Sequence, residues 1–90
     1  VSVRYTIELT ASAEKEMAKL TREMHRRVVE KVLQLEDSPR PAGAKHLEVP
    51  FEGYRIRIGD WRVLYCVDDT KQLVTVYAVR HRREVYRKGK

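Results

Sequence analysis

Arg55, Arg57 and Arg62 stand in the stretch YRIRIGDWRVLYCV, residues 54–67, at positions that a β-hairpin brings onto one surface. Gly59-Asp60 suits a two-residue turn of type I′ or II′. That turn pairs Ile58 with Trp61, Arg57 with Arg62, Ile56 with Val63 and Tyr54 with Tyr65. Side chains alternate between the faces of a strand. One face then carries Tyr54, Ile56, Ile58, Trp61, Val63 and Tyr65, an apolar surface for helices to cover, and the other carries the arginines. Arg57 lies directly opposite Arg62, and like charges so placed cost a few tenths to about 1 kcal/mol. Folding gives no reason to choose that pair, whereas an anion bound between them does. Arginine suits phosphate because its planar fork donates two parallel hydrogen bonds and keeps its charge at any relevant pH. The competing reading is a solvated basic face, or arginines paired with Glu48, Glu52 or the Asp68-Asp69 turn.

Past the apolar run at 73–79 (LVTVYAV) come Arg80, His81, Arg82 and Arg83, then Glu84, Val85, Tyr86 and Arg87. Arg80 to Lys90 holds six basic residues against one acid, which accounts for most of the chain's net charge of +6. Clustered positive charge points to a polyanion: nucleic acid, an acidic protein partner, or both. If the last three strands are neighbours, this tail ends close to the arginine face, and sheet arginines, a tail arginine, His81 and Tyr86 converge on one phosphate. Otherwise Tyr86 is a packing residue that pins the tail, and His81 a surface or RNA-stacking residue. His25 and His46 have no partner pattern and receive no role. One cysteine, Cys66, and three scattered histidines make no metal-ligand set, and no cofactor is expected. Cys66 sits in an apolar strand pattern and reads as a small core residue rather than a reactive thiol.

The elements that must position these groups follow from periodicity. Residues 3–9 (VRYTIEL) alternate and are rich in β-formers, giving a first strand. Thr10 or Ser12 caps a helix with Glu14 and Glu16 in its first turn, and Ala13, Met17 and Leu20 recur along it. Thr21 caps a second helix whose stripe is Met24, Val28, Val32 and Leu35, flanked by Val29 and Leu33. Both methionines read as core. The run DSPRPAG, residues 37–43, stops that helix. Residues 44–53 read as a loop, residues 68–72 as a second turn, and residues 73–79 as the last strand. The order β-α-α-β-β-β gives an α+β fold, two helices packed on one face of a mainly antiparallel sheet. Ninety residues, 42% of them apolar and 36% charged, suffice for one core, so residues 1–90 are expected to form a single domain. No apolar run spans a bilayer and no signal-peptide pattern opens the chain. A cytoplasmic location without membrane partners is the expectation, and a lone cysteine fits a reducing compartment.

GYRIRIGDWRVLYCVDD, followed by VYAVRHRREVY, resembles the RelE family of toxins from type II toxin–antitoxin systems. SPRPAGAKHL and the β-α-α opening extend the resemblance over nearly the whole chain, although only the hairpin and HRREVY are specific to it. The resemblance implies the compact RelE-like α+β fold and a toxin that enters the ribosomal A site to cleave mRNA. It also implies a RelB-like antitoxin that wraps around the toxin, with operator DNA bound only through that antitoxin. By position, the family's basic pair on its second strand matches Arg55 and Arg57, its third-strand arginine Arg62, its arginine after the last strand Arg82, and its tyrosine Tyr86. His81 falls where several members place a histidine. No carboxylate stands where certain related toxins have a general base, although Glu48 is near.

The implied reaction is attack of a ribose 2′-hydroxyl on its own 3′-phosphate, expelling the 5′-oxygen. Arg62 is the first choice to stabilise the phosphate, supported by Arg55 and Arg57. Arg83, Arg87 and Lys45 are further RNA contacts. Tyr86, its pKa lowered by the surrounding cations, serves as base, and Arg82 or His81 donates to the leaving oxygen. An antitoxin with an acidic or amphipathic segment is expected to cover the basic face and displace the tail. Two other functions remain open. A ParE-like toxin has the same fold but inhibits DNA gyrase and usually lacks the arginine and tyrosine constellation. A non-catalytic basic RNA- or DNA-binding module would lose only affinity, not an activity, on Arg62→Ala.

Overall fold

The computed structural model describes residues 4–81. In chain order it contains β1 (Thr6–Leu9), α1 (Ala11–Ala18), α2 (Arg22–Gln34), β2 (Lys45–His46), β3 (Tyr54–Ile58), β4 (Trp61–Asp68) and β5 (Leu73–His81). The strands form one sheet in the order β1-β5-β4-β3-β2. Its pairings are antiparallel except for β1, which runs parallel to β5 along the sheet edge. The sequence expectation of an α+β fold with two helices before the main sheet is met. It differs in three details: β1 begins at Thr6, after Arg4 and Tyr5, residues 44–53 contain the short strand β2, and β5 continues through Arg80 and His81 instead of ending at Val79.

Each helix begins where a threonine oxygen replaces a missing backbone partner. Thr10 Oγ1 accepts from Ala13 N at 3.1 Å, and Thr21 Oγ1 accepts from Met24 N at 3.2 Å. Thr10, not Ser12, is thus the first cap. Ala13 and Met17 of α1 are buried, as are Val28, Val32 and Leu35 along α2. They meet Ile56, Ile58, Val63, Tyr65, Val74, Val76 and Val79 from the sheet to make the core. Leu33 faces away and is half exposed.

The β3–β4 register is the one derived from Gly59-Asp60: Ile58 opposite Trp61, Arg57 opposite Arg62, Ile56 opposite Val63 and Tyr54 opposite Tyr65. Gly59 has a φ of 61° and Asp60 does not share that positive sign, the pattern of a type II′ turn rather than I′. A register shift at Leu64/Tyr65 leaves Tyr77 of β5 without an opposite number. Two polar ties secure the far end of the sheet. Arg40 donates to both Asp69 oxygens, at 2.8 and 3.2 Å, and to Tyr54 Oη at 2.9 Å, while Tyr5 Oη donates to Asp69 at 2.6 Å. Those contacts hold the Asp69 carboxyl below its usual range and tie the β4–β5 turn to β3 and to the chain entering β1.

Candidate phosphate-binding face

Residues directly opposite one another in an antiparallel ladder share a face. Arg57 of β3 faces Arg62 of β4, and Arg62 faces Arg80 of β5. The three guanidinium-bearing positions thus form one row across adjacent strands, with about 10 Å between the outer Cα atoms. One row further along, Lys45 of β2 stands opposite Arg55 of β3. All five cations belong to the face turned away from the helices. Arg57 and Lys45 are exposed and Arg55 is half-buried.

Arg62 differs from its neighbours in burial. It is only 6% exposed. Its Nη1 donates to the Trp61 carbonyl at 3.3 Å, and its Nε is buried with no hydrogen-bond partner among the described residues. Neither Arg57 nor Arg62 has an ion pair among the described residues. Of the acids considered as alternative partners, the two in the turn are engaged there: Asp69 is held by Arg40 and Tyr5, and Asp68 Oδ1 accepts from Lys71 N at 3.0 Å. A buried cation costs several kcal/mol unless opposite charge and hydrogen bonds compensate it. Within the described residues that compensation is limited to the Trp61 carbonyl.

The sequence groups Arg80 with the tail, whereas the structure places it in the row, opposite Arg62. Its Nε donates to Glu16 Oε2 at 3.1 Å, while Glu16 Oε1 accepts from Val79 N at 2.7 Å. Glu16, expected to complement the α1 dipole, instead reaches the edge of β5 that β1 leaves uncovered and anchors Arg80. A signal for this existed in LVTVYAVRH. The residues in the helix-covered core run Val74, Val76, then Val79, with Ala78 buried on the other face, so the even-numbered pattern becomes odd. Such a break marks a bulge at Tyr77 and turns Arg80 onto the arginine face.

His81 is not brought to the row. It stands opposite Trp61, its ring edge-on to the indole at a centroid distance of 5.5 Å, on the face covered by the helices. Arg82, Arg83, Tyr86 and Arg87 lie outside the described residues. His46 packs edge-on against Tyr54 at 5.0 Å and has a structural place. Burial first, and then the nearby Glu52 carboxylate, push the Cys66 thiol up from its usual pKa, which disfavours the thiolate. The described residues contain no group of three or more His, Cys, Asp or Glu able to hold a metal ion. None of their helices is long and apolar enough to cross a membrane.

The family described as the ParE toxin of the type II toxin–antitoxin system parDE matches residues 7–86. A chain of the toxin–antitoxin complex RelBE2 from Mycobacterium tuberculosis is 32% identical, with a TM-score of 0.80 over 89% of this chain and 93% of that one. A chain of the intact E. coli RelBE toxin–antitoxin complex is 28% identical, with a TM-score of 0.75 over 86% of this chain and 95% of that one. The isolated E. coli RelE toxin is 28% identical, with a TM-score of 0.74 over 86% and 83%. No curated protein gives a significant match.

Proposed function

The chain belongs to the RelE/ParE superfamily of toxins from type II toxin–antitoxin systems, and from that premise we propose that it is a metal-independent endoribonuclease that cuts mRNA on the ribosome. The observation that carries this reading is Arg62, buried with its Nε unpartnered among the described residues, in the middle of the Arg57–Arg62–Arg80 row. In a transesterification through the 2′-hydroxyl, negative charge grows on the phosphate oxygens. A fixed guanidinium in a site shielded from water stabilises that charge without reorganising. Arg57 and Arg80 flank it, and Arg55 and Lys45 extend the positive surface along the RNA. Tyr86 is the proposed base and Arg82 the group that hydrogen-bonds the leaving 5′-oxygen. His81, turned toward Trp61, drops from that role. Arg83 and Arg87 bind the strand. A cognate RelB-like antitoxin neutralises the toxin in the cytoplasm by covering this face.

Primer extension on cellular mRNA after brief induction tests the reading. The wild type gives new stops within codons, and Arg62→Ala loses them by about 100-fold or more, the size expected for removal of one transition-state donor. Unchanged cutting by Arg62→Ala, or no cutting by the wild type, overturns it. The match to the ParE description favours a second reading, gyrase inhibition. Trapped gyrase–DNA complexes together with intact mRNA would establish that one instead.

A further inference from the structure

The arginine-bearing face also carries a cleft. Leu64 stands opposite Ala78, and one step beyond the bulge Cys66 stands opposite Thr75 on the same face. Pro50, Phe51, Glu52, Cys66, Thr75 and Tyr77 line an open space of about 450 Å³ there. Its wall, the segment before β3, is held down at several points. Tyr77 Oη donates to the Glu52 carbonyl at 2.6 Å, Leu47 N to the Gly53 carbonyl at 2.8 Å, and Phe51 N to the Glu48 carbonyl at 3.0 Å. Gly53, with a φ of 86°, lies so close to β4 that a Cβ would sit 2.1 Å from the Tyr65 carbonyl oxygen. The bulge at Tyr77 aims the phenol into this space, a use to which bulges beside functional sites are put.

The chemistry of the lining selects its occupant. Phe51 and Tyr77 offer aromatic faces, Thr75 a hydroxyl, and Glu52 a carboxylate close enough to act electrostatically on both the Cys66 thiol and the Tyr77 phenol. A carboxylate repels phosphate, so this end of the face differs in kind from the arginine row. Cys66 is four residues from Arg62 along β4, about 13 Å at the rise of a strand. A single strand anchored by phosphate on the arginines therefore has its neighbouring bases within reach of the cleft. Unstacked RNA bases are read by aromatic stacking and by hydrogen bonds to their edges.

We propose that this cleft holds an unpaired nucleobase of the RNA strand whose phosphate lies on the Arg57–Arg62–Arg80 row, stacked by Phe51 and Tyr77 and read by Glu52 through an exocyclic amino group. The proposal rests on the nuclease reading and gives it a base preference: adenine, cytosine and guanine carry the amino donor, and uracil does not. The test measures binding and cleavage separately. Uncleavable tetranucleotides with 2′-deoxy sugars and one varied base are titrated by fluorescence anisotropy into wild type, Glu52→Gln and Phe51→Ala, each checked by thermal melting for a native fold. The wild type should bind amino-bearing bases about tenfold more tightly than uracil. Glu52→Gln, which both donates and accepts, should flatten that preference, and Phe51→Ala should weaken binding of all four about tenfold. The same variants are then compared on ribosomal mRNA. Equal affinity for the four bases in the wild type, or profiles of both variants that overlay it, overturns the base cleft even if Arg62-dependent cutting stands. A base preference abolished by Glu52→Gln without any mRNA cutting supports the cleft and removes the nuclease reading.

Discussion

Two buried polar side chains lead to opposite predictions for stability. Tyr65 is fully buried, and its hydroxyl donates to the Pro39 carbonyl at 2.7 Å. Burial first, then Tyr54, push its pKa up to about 12 from 10.0. The folded state thus holds this proton when the unfolded chain has released it. The resulting stability is complete below pH 10 and is lost as pH rises from about 10 to 12, by roughly 2–3 kcal/mol in all. Urea melts of wild type and Tyr65→Phe at pH 9 and pH 11.5 check this. The difference between the two proteins should narrow or reverse at the higher pH, and a constant difference would contradict the assignment. Arg62 is the opposite case, buried with one hydrogen bond to a carbonyl but no ion pair among the described residues. Replacing a buried charge by a well-packed apolar side chain is often neutral or stabilising by about 1–4 kcal/mol. Arg62→Met should melt at or above the wild-type temperature and yet be non-toxic when expressed. A large drop in melting temperature would mean that Arg62 is part of the folding framework after all.

Among the elements, the β3–β4 hairpin was legible in full because Gly59-Asp60 sets a register in which Tyr54, Ile56, Ile58, Trp61, Val63 and Tyr65 share one face and the arginines the other, and any slip exposes that apolar face. The helix starts were legible for an equally local reason: Thr10 and Thr21 do their work within three residues. What escaped was non-local. The alternation of TIEL marks a strand but does not say that it lies parallel to β5. Nor does the KH pair announce itself as a strand, since two residues carry no period. Misplacing the end of β5 had the largest effect on the site, because it put Arg80 in the tail and His81 beside the arginines. The loop before β3 supplies an element-scale prediction. Both Gly53 and Gly59 have positive φ, but a Cβ at Gly59 meets nothing nearer than 3.7 Å, whereas at Gly53 it collides with the Tyr65 carbonyl. Gly59→Ala should cost only the conformational penalty of about 1–2 kcal/mol. Gly53→Ala should cost clearly more, or force the loop off the sheet and open the cleft beneath it. Denaturant melts of the two variants give the comparison, and equal losses would show that the loop gives way freely.

At the scale of the whole molecule, the charge distribution is what the proposed nuclease would use to meet RNA. The excess of positive charge is divided between the tail and a sheet face on which Lys45, Arg55, Arg57, Arg62 and Arg80 all stand. Each cation that neutralises a phosphate releases a condensed counterion, so the affinity for a single strand falls with salt by a slope of about −0.7 per contact. Such a slope counts contacts without needing a structure of the complex. It also separates charge that touches RNA from charge that merely raises solubility. Arg57 is exposed, has no ion pair among the described residues and supports no core packing, so Arg57→Gln removes one contact and little stability. The slope for binding an uncleavable oligonucleotide should become shallower by about 0.7, with similar loss of affinity for every sequence. Arg26 lies on the outer surface of α2 and already pairs with Glu30 at 3.2 Å, so Arg26→Gln lowers the net charge by the same amount and should leave the slope where it is. If the two substitutions shift the slope equally, RNA is drawn by net charge alone and the arginine face is no binding surface. A shift confined to Arg57→Gln places the strand on the sheet.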